Sequence, residues 1–521
     1  MSSLVYLKNK KSGVTYVYEN ISTWNKHKQR ADCRRKCIGK LDPETKEIVS
    51  TGKRGLGKGE QLSVRASIIG DSLLFETVAE KIGILQTLQQ SFQHTWAQII
   101  TCAYYLLSEG KALCHCGSWS TLHENPSETS LESQRISELL LELTHDAQMA
   151  FFKAWVQQRV EMEYFALDIT SVSSYSEQNE YVRYGYNRDN DSLPQVNLCI
   201  LLGEKSGIPV YFELLPGSIK DVSALKNVQT LMEWVGAKRL HFVMDRGFYS
   251  ETNVDEMYAG HVRFTIGVPF TTNWAKALVA KVKPGIETFE KFHVVGEREI
   301  FADCDTEDWK YHRCYRHVFY DSKKAAEEYS SFLLSITELK RELEEGRNVK
   351  EHQAKYDRYF IVKDTPKRGR QVFVREEAIR EHKDNMAGFF VLLSNDIKDA
   401  EEVLKVYRDK DAVEKGFDDM KNSLDAKRLR VHNAQSMRGR MFIQFIALII
   451  ASGMRQVMEA SALANQYTLP EIINEMKSFQ RIIVDSKRKP VYSKLTKLQV
   501  KILAAFGINT KSYVLFFGSL G

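Results

Sequence analysis

Two aspartates in this chain are set into short apolar runs: Asp168 in YFALDIT and Asp245 in HFVMDRGFYS. Runs of that length and composition read as buried strands. A lone carboxylate at the end of a strand is a turn or helix cap. Two carboxylates on neighbouring strands are different, because like charges that close need a cation between them. Hard carboxylate oxygens select Mg²⁺ or Mn²⁺. Two such ions about 4 Å apart form a clamp for in-line phosphoryl transfer.

A third carboxylate has a place in IKDAEEVLKVYRDKDAVEKGFDDMKNSL, which reads as one long helix. Tyr407, Lys410, Glu414 and Lys421 fall in one narrow stripe at helical spacing. Val406, Val413, Phe417, Met420 and Leu424 form the core stripe beside it. On that border Glu414 can complete a metal site while the cations take phosphates. Asp411 and Asp418 lie near the same stripe and compete with Glu414. The other reading is a solvated helix face with ion pairs.

The elements that must position these groups follow from the apolar rhythm. YFALDIT, QVNLCILLG and PVYFELLPG are three strands joined by polar, Gly-containing or Pro-containing turns. DVSALKNVQTLMEWVGA is a helix, LHFVMD a fourth strand, SETNVDEMYAG a helix and VRFTIGV a fifth strand. This is a mixed sheet. A helical crossover makes the first and fourth strands parallel neighbours, which brings Asp168 and Asp245 together.

At 521 residues the chain is too long for a single core, so several domains are expected. Val5 to Val49 reads as short strands within a basic region, residues 1–60, with Lys26, Lys28, Arg30, Arg34, Arg35 and Lys36 close together. Lys53, Arg54 and Lys58 follow in a Gly-rich link. Residues 61–160 take a helical period. After Pro269 come an aromatic, strand-like stretch with Trp274 and Trp309, a charged helix over Ser322–Glu345, and TPKRGRQVFVR, basic and hairpin-like. GFFVLLSND then gives a strand before the Glu414 helix.

The bulk numbers exclude little. Lys and Arg outnumber Asp and Glu by 73 to 67, which permits an anionic partner without demanding one. Eight scattered cysteines make no disulfide framework. Cys114-His115-Cys116 and Cys33 with Cys37 lack the spacing and second pair of a zinc site. The N-terminus has no apolar core of a signal peptide. MFIQFIALIIASGM contains Gln444 and reads as a buried helix, not a membrane span. The expectation is a soluble, cytoplasmic, nucleoid-associated protein with no membrane partner.

LDIT, VMDRGFYS and the pattern Tyr407-x-x-Lys410-x-x-x-Glu414-x(6)-Lys421 resemble the DDE transposases of bacterial insertion sequences. The resemblance is to the insertion-sequence-four superfamily, with its Tyr-Arg-Glu-Lys signature. GIPVYFELLPGSIKD resembles that family's passage from second to third strand. The resemblance spans roughly Tyr164 to Val268 and Gly388 to Arg455.

The fold this implies is α/β. A ribonuclease H-like catalytic core (161–269 and 388–470) is interrupted by a mostly β insertion domain (270–387). N-terminal β and helical DNA-binding regions precede it, and a helical region (471–521) closes the chain. Asp168, Asp245 and Glu414 then match catalytic carboxylates that hold two Mg²⁺ or Mn²⁺ ions. Tyr407 and Lys421 match contacts to DNA phosphates. Lys410 stands where the family has Arg, keeping the charge but losing the bidentate fork. Arg246, beside Asp245, joins the DNA-binding set, and Trp309 or Trp274 would stack a flipped base. Lys28, Arg34 and Arg35 would serve end recognition.

The activity implied is cut-and-paste transposition, in which strands are nicked at transposon ends and the freed 3′-hydroxyl attacks a target. The implied partners are double-stranded DNA with terminal inverted repeats, target DNA, and a second copy in a synaptic dimer. The alternatives are a metal-dependent nuclease of the same fold and a non-catalytic DNA-binding derivative.

Overall fold

The computed structural model describes residues 2–10, 12–25, 29–43, 45–49, 64–159, 165–176, 179–185, 192–203, 205–219, 241–296, 298–347, 349–366, 368–383, 386–410, 416, 420–421, 424, 428–429, 433–484 and 490–510. It divides into two compact units, Met1–Arg65 with Ile482–Pro490, and Ala66–Arg481 with Val491–Gly521. The closing region expected over 471–521 is therefore shared between units.

In the first unit, β1 (Ser2–Lys8), β2 (Thr15–Asn25), β3 (Arg30–Leu41) and β4 (Ile48–Val49) form an antiparallel meander. Gly13, at φ +70°, supplies the left-handed residue in the first turn. Val17 is buried, while Leu4, Tyr6, Ile21 and Trp24 are exposed. Arg34 lies in β3, and Arg35 and Lys36 are exposed on it. Lys28 falls outside the described residues.

The second unit begins with six helices: α1 (Gly70–Lys81), α2 (Ile84–Ser91), α3 (Trp96–Glu109), α4 (Cys116–Leu122), α5 (Ser133–Glu142) and α6 (His145–Gln157). Cys116 is buried while Cys114 and His115 are exposed, so the Cys-His-Cys run does not converge on one point.

The central sheet is built from β5 (Phe165–Ser174), β6 (Gln195–Gly203), β7 (Pro209–Pro216), β8 (His241–Met244) and β9 (Arg263–Val268). β5, β6 and β7 form an antiparallel meander. β8 pairs parallel with both β5 and β9. α7 (Glu251–Ala259) links β8 to β9, and the helix expected over 221–237 lies outside the described residues.

The interval 270–387 differs from the expected mostly β domain. After α8 (Asn273–Val282), strands β10 (Phe292–Val295), β11 (Arg298–Trp309) and β12 (His312–Tyr320) extend the central sheet. α9 (Ser322–Glu344), α10 (Gln353–Tyr359), the hairpin β13 (Phe360–Thr365) and β14 (Gly369–Val374), and α11 (Glu376–Lys383) follow. These have their own small core of Ile336, Leu339, Leu343, Tyr356, Tyr359, Phe360 and Ile379. The interval splits because β15 (Phe389–Ser394) is antiparallel to both β12 and β9 and joins the new strands to the old. The strand order is β10-β11-β12-β15-β9-β8-β5-β6-β7, and β16 (Arg428–Leu429) pairs parallel with the end of β5.

The apolar run near residue 440 forms the middle of α13 (Ala434–Ala460), 27 residues long. By length and composition it could cross a membrane, but 83% of its most apolar window is buried inside the protein. Its Phe442 ring meets Phe92 at 5.3 Å and Phe151 at 5.1 Å, and Phe445 meets Phe212 of β7 at 5.2 Å. Helical region and sheet thus share one core. The Gln444 amide donates to the Leu424 carbonyl at 2.7 Å. The helix α14 (Leu469–Met476) and α15 (Lys497–Ala505) complete the unit.

Two buried histidines sit in the sheet. His241 Nε2 lies 3.0 Å from Thr265 Oγ1, and its Nδ1 lies 3.3 Å from Asp396 Oδ2. His317 Nε2 donates to the Ile397 carbonyl at 3.0 Å. Burial pushes both imidazoles down, His317 to about 4. The His241 bond and the nearby Arg263 hold Asp396 below its ordinary value despite partial burial, so the pair is a hydrogen bond from neutral imidazole to carboxylate.

Phe442→Ala should leave a cavity at the junction of helices and sheet and cost about 3–5 kcal/mol, read as a large fall in Tm. The folded-state values of both histidines lie below 6.5, so protonation favours the unfolded chain. Stability should be full above pH 6.5 and fall as pH drops toward 4. His317→Gln keeps a donor for Ile397 but does not titrate, so its Tm should fall less steeply over that window. An unchanged slope would show that His317 charges without opening the fold.

Candidate active site

β8 is four residues long and stops at Met244. It pairs with β5 in register, Phe165 with Phe242, Ala166 with Val243 and Leu167 with Met244. The next residues, Asp168 and Asp245, therefore stand level on parallel neighbours about 4.8 Å apart. Alternation puts Asp245 on the Val243 side of the sheet. Because β8 ends there, Asp168 has no described strand on that side until Arg428 pairs with Ser173. Asp168 is accordingly the only position among the ten of β5 that is not buried. Its Oδ1 accepts from the Ile169 N–H at 2.7 Å.

The DRGFYS loop is rigid for local reasons. Asp245 Oδ1 accepts from the Arg246 N–H at 2.8 Å and starts a short 3-10 turn. Phe248 is fully buried, and Asn253 Nδ2 holds its carbonyl at 2.8 Å. Ser250 Oγ accepts from the Asn253 N–H at 3.0 Å and caps α7. The carboxylate is fixed from behind before anything binds in front.

α12 (Ala400–Asp409) delivers the next groups. Asp399 caps it, accepting from the Glu402 N–H at 2.8 Å. Val403, Leu404 and Val406 pack with Val243, Ile300, Phe319 and Leu392 on the sheet. Tyr407 then reaches past the end of β8, its hydroxyl donating to Asp245 Oδ1 at 3.1 Å. Lys410 follows at the helix C-terminus, where a cation is favourable. Its ammonium is 3.8 Å from Asp245 Oδ1 and 5.5 Å from the Tyr407 ring centroid, and the residue is only 5% exposed.

These neighbours set the charge state. Burial raises the Asp245 carboxyl, but the Lys410 ammonium, the Arg246 N–H and the Tyr407 hydroxyl together outweigh it and hold the group below its ordinary value. Burial pushes the Tyr407 phenol up, and the Asp245 and Asp168 carboxylates push it further. Asp245 stays ionised and Tyr407 stays a donor.

Gly267 on β9 makes this arrangement possible. A Cβ there would lie 2.7 Å from the Tyr407 hydroxyl and 3.0 Å from the Arg246 nitrogen. The residue gave a legible signal, since a Gly inside a strand marks close approach of another group. Beside Asp245 opens a cavity of about 770 Å³, lined among others by Arg246, Phe270, Arg298, Lys324, Arg408 and Lys410. Arg298, Lys324 and Phe270 carried no motif, and only the packing of β11 and α9 beside the site brings them in.

Other expected residues are placed differently. Glu414, Asp411 and Asp418 lie outside the described residues, and Lys421 is half-buried. α12 is described as far as Asp409, and Met420 and Leu424 beyond it are buried. Trp309 does not line the cavity, because it closes β11 and its indole N–H donates to Asp255 Oδ1 at 2.8 Å. Trp274 donates to the Tyr249 hydroxyl at 2.8 Å and also lies off the cavity. The aromatic rings along the cavity are Phe270, Phe389, Phe390 and Tyr407.

Side by side, Asp168 and Asp245 offer hard oxygens that suit a divalent cation of the Mg²⁺ class. Among the described residues no group of three His, Cys, Asp or Glu could hold a metal ion.

Gly267→Ala should be destabilising by about 1–3 kcal/mol, the usual range for overpacking. Tyr407→Phe removes the atom that the new methyl meets. In denaturant melts the double variant should recover part of the Gly267→Ala loss. Strict additivity would separate the two residues.

No curated protein matches the chain in sequence. Among solved structures, it is similar to a piggyBac transposase in a cryo-EM synaptic complex with hairpin DNA. The match has 8% identity and a TM-score of 0.36, covering 78% of this chain and 70% of that one. Residues 161–450 match the family model described as the transposase DDE domain. That match spans more than half of the 521 residues and contains both aspartates and the helix facing them, so the chain belongs to the DDE transposase family.

Proposed function

We propose that this chain carries out cut-and-paste transposition of a bacterial insertion sequence of the insertion-sequence-four type. The observation that carries the reading is the level pairing of Asp168 and Asp245 on parallel neighbours beside Tyr407 and Lys410. Three antiparallel strands followed by two parallel ones support a ribonuclease H-like core.

Asp168, Asp245 and Glu414 would hold the divalent ions. Two Mg²⁺ or Mn²⁺ ions bound there would activate a water and offset charge building on the phosphate. The chain's own contribution is positional. The DRGFYS loop and Tyr407 hold the Asp245 carboxylate at a fixed angle. Lys410, Arg246, Arg298 and Lys324 line the cavity and would take the phosphates of the DNA end, with Lys421 further along the chain. Phe270, Phe389 and Phe390 offer the apolar faces on which an unstacked base could rest, a role the family resemblance implied for Trp309 or Trp274.

End recognition falls to the N-terminal unit. Residues 1–65 contain 15 Lys or Arg against 6 Asp or Glu, a formal +9, so the other 456 residues sum to −3. The whole positive excess lies in residues 1–65, and Arg35 and Lys36 are exposed on the sheet there. Two copies would synapse two transposon ends, and a freed 3′-hydroxyl would attack target DNA.

The test is strand-resolved product analysis on a duplex from the flank of the gene, with Mg²⁺ and a target plasmid. Nicks at the junction followed by joined products support transposition; nicks alone would leave a nuclease. Glu414→Gln keeps the shape but removes the charge. Its nicking rate should fall by orders of magnitude, each ~1.4 kcal/mol being tenfold. End binding without metal should survive, because the loss of a negative charge lowers repulsion of phosphates. Asp418→Asn and Asp411→Asn should do far less, and the opposite ranking would overturn the assignment of Glu414.

A further inference from the structure

The hairpin of β13 and β14 has two unlike faces. Phe360, Val372 and Val374 turn toward the small core under α9. Register places Ile361 opposite Phe373 and Lys363 opposite Gln371 on the other face. That face is open: Ile361 is 40% and Phe373 46% exposed, with the Lys363 ammonium 5.7 Å from the Phe373 ring centroid. Pro366 and Arg368 are exposed at the turn, and Gly369 allows it at φ +66°.

The charge is one-sided. Between residues 361 and 375 stand Lys363, Lys367, Arg368, Arg370 and Arg375 against Asp364 alone. Excess of that kind is unusual in a remainder of the chain that sums to −3. Nearby cations of the sheet are matched, as Lys291 is with Asp303 at 2.7 Å and Arg316 with Asp305 at 2.7 Å. Among the described residues Lys363 and Arg368 form no ion pair.

We propose that this hairpin is a second duplex-DNA contact, gripping the transposon end about one helical turn from the phosphate at Asp245. The inference rests on the transposase reading and adds a place and a distance to it. A two-stranded ribbon fits the major groove. Cations without carboxylate partners suit phosphates, and Phe373 with Ile361 offers an apolar ridge between them. The distance comes from α9. Lys324 and Glu328, near its start, line the cavity beside Asp245. At its other end, Arg370 Nη1 lies 3.9 Å from where a Cβ on Gly346 would be. The 22 residues between span about 33 Å at ~1.5 Å each. One turn of duplex is about 34 Å, or ten base pairs. α9 carries both signs of charge, so it acts as a spacer and the hairpin supplies the attraction.

The test uses the full chain and a duplex from one flank of the gene that includes the terminal repeat and junction. Lys363→Ala with Arg368→Ala touches only exposed side chains, and Tm checks the fold. Hydroxyl-radical footprints should lose protection about ten base pairs inside the junction and keep it at the junction. The salt dependence of affinity should become shallower by about two, near 0.9 for each phosphate that is no longer neutralised. Phe373→Ser should weaken binding with the slope unchanged. An unaltered footprint and slope in the double variant would overturn the proposal, as would equal losses on single-stranded RNA without loss on the duplex. Nicking by the parent protein is followed on the same duplex. If the parent does not nick but the footprint and slope change as expected, the transposase reading fails and the hairpin contact stands. If it nicks and the footprint is unaltered, the reverse holds.

Discussion

The candidate site depends on where one short strand stops. β8 runs in register beside β5 and ends at Met244, so two aspartates from distant parts of the chain are level and adjacent. Two carboxylates that close repel, and part-burial raises the penalty. The surrounding groups answer it: an ammonium at 3.8 Å, a phenol at 3.1 Å and a backbone N–H at 2.8 Å all meet Asp245 Oδ1. They keep the carboxyl ionised in a half-buried place. The same crowding explains why β9 has Gly267 beside the site, where any side chain would strike Tyr407.

That precision requires a stiff frame. α13 runs through the shared core and ties the aromatic cluster of α2 and α6 to β7. Through Gln444 it also anchors Leu424, near the end of the segment that carries Glu414. On the opposite side, α12 is pinned to the sheet by Val403, Leu404 and Val406. Tyr407 and Lys410 are therefore placed by packing on both faces of the sheet, and buried neutral histidines are part of that packing.

The segment between β9 and β15 serves two purposes. Its first half widens the central sheet and brings Arg298 to the cavity. Its second half is a small helical unit around a hairpin, held at the far end of α9. The basic N-terminal sheet is a further surface of the same sign, on a separate unit.

Much of the site was legible in the sequence because its signals are local. A short apolar run broken by an abrupt polar residue marks Asp168 in β5 and Asp245 after β8, because a strand buried on both faces is apolar nearly throughout. The Tyr407–Lys410 spacing follows from 3.6 residues per turn. What the sequence could not determine is which surfaces meet. The interval 270–387 looked like a separate β domain because strand pattern is silent about strand partners, and only β15 decides that β10–β12 join the main sheet. Trp309 looked available because indole chemistry is visible in a sequence, whereas its bond to Asp255 on α7 is not. Gly267 was a strand glycine until Tyr407 packed against it. Register, partner choice and close approach arise between segments far apart in the chain, so they exist only once the tertiary structure has brought those segments together.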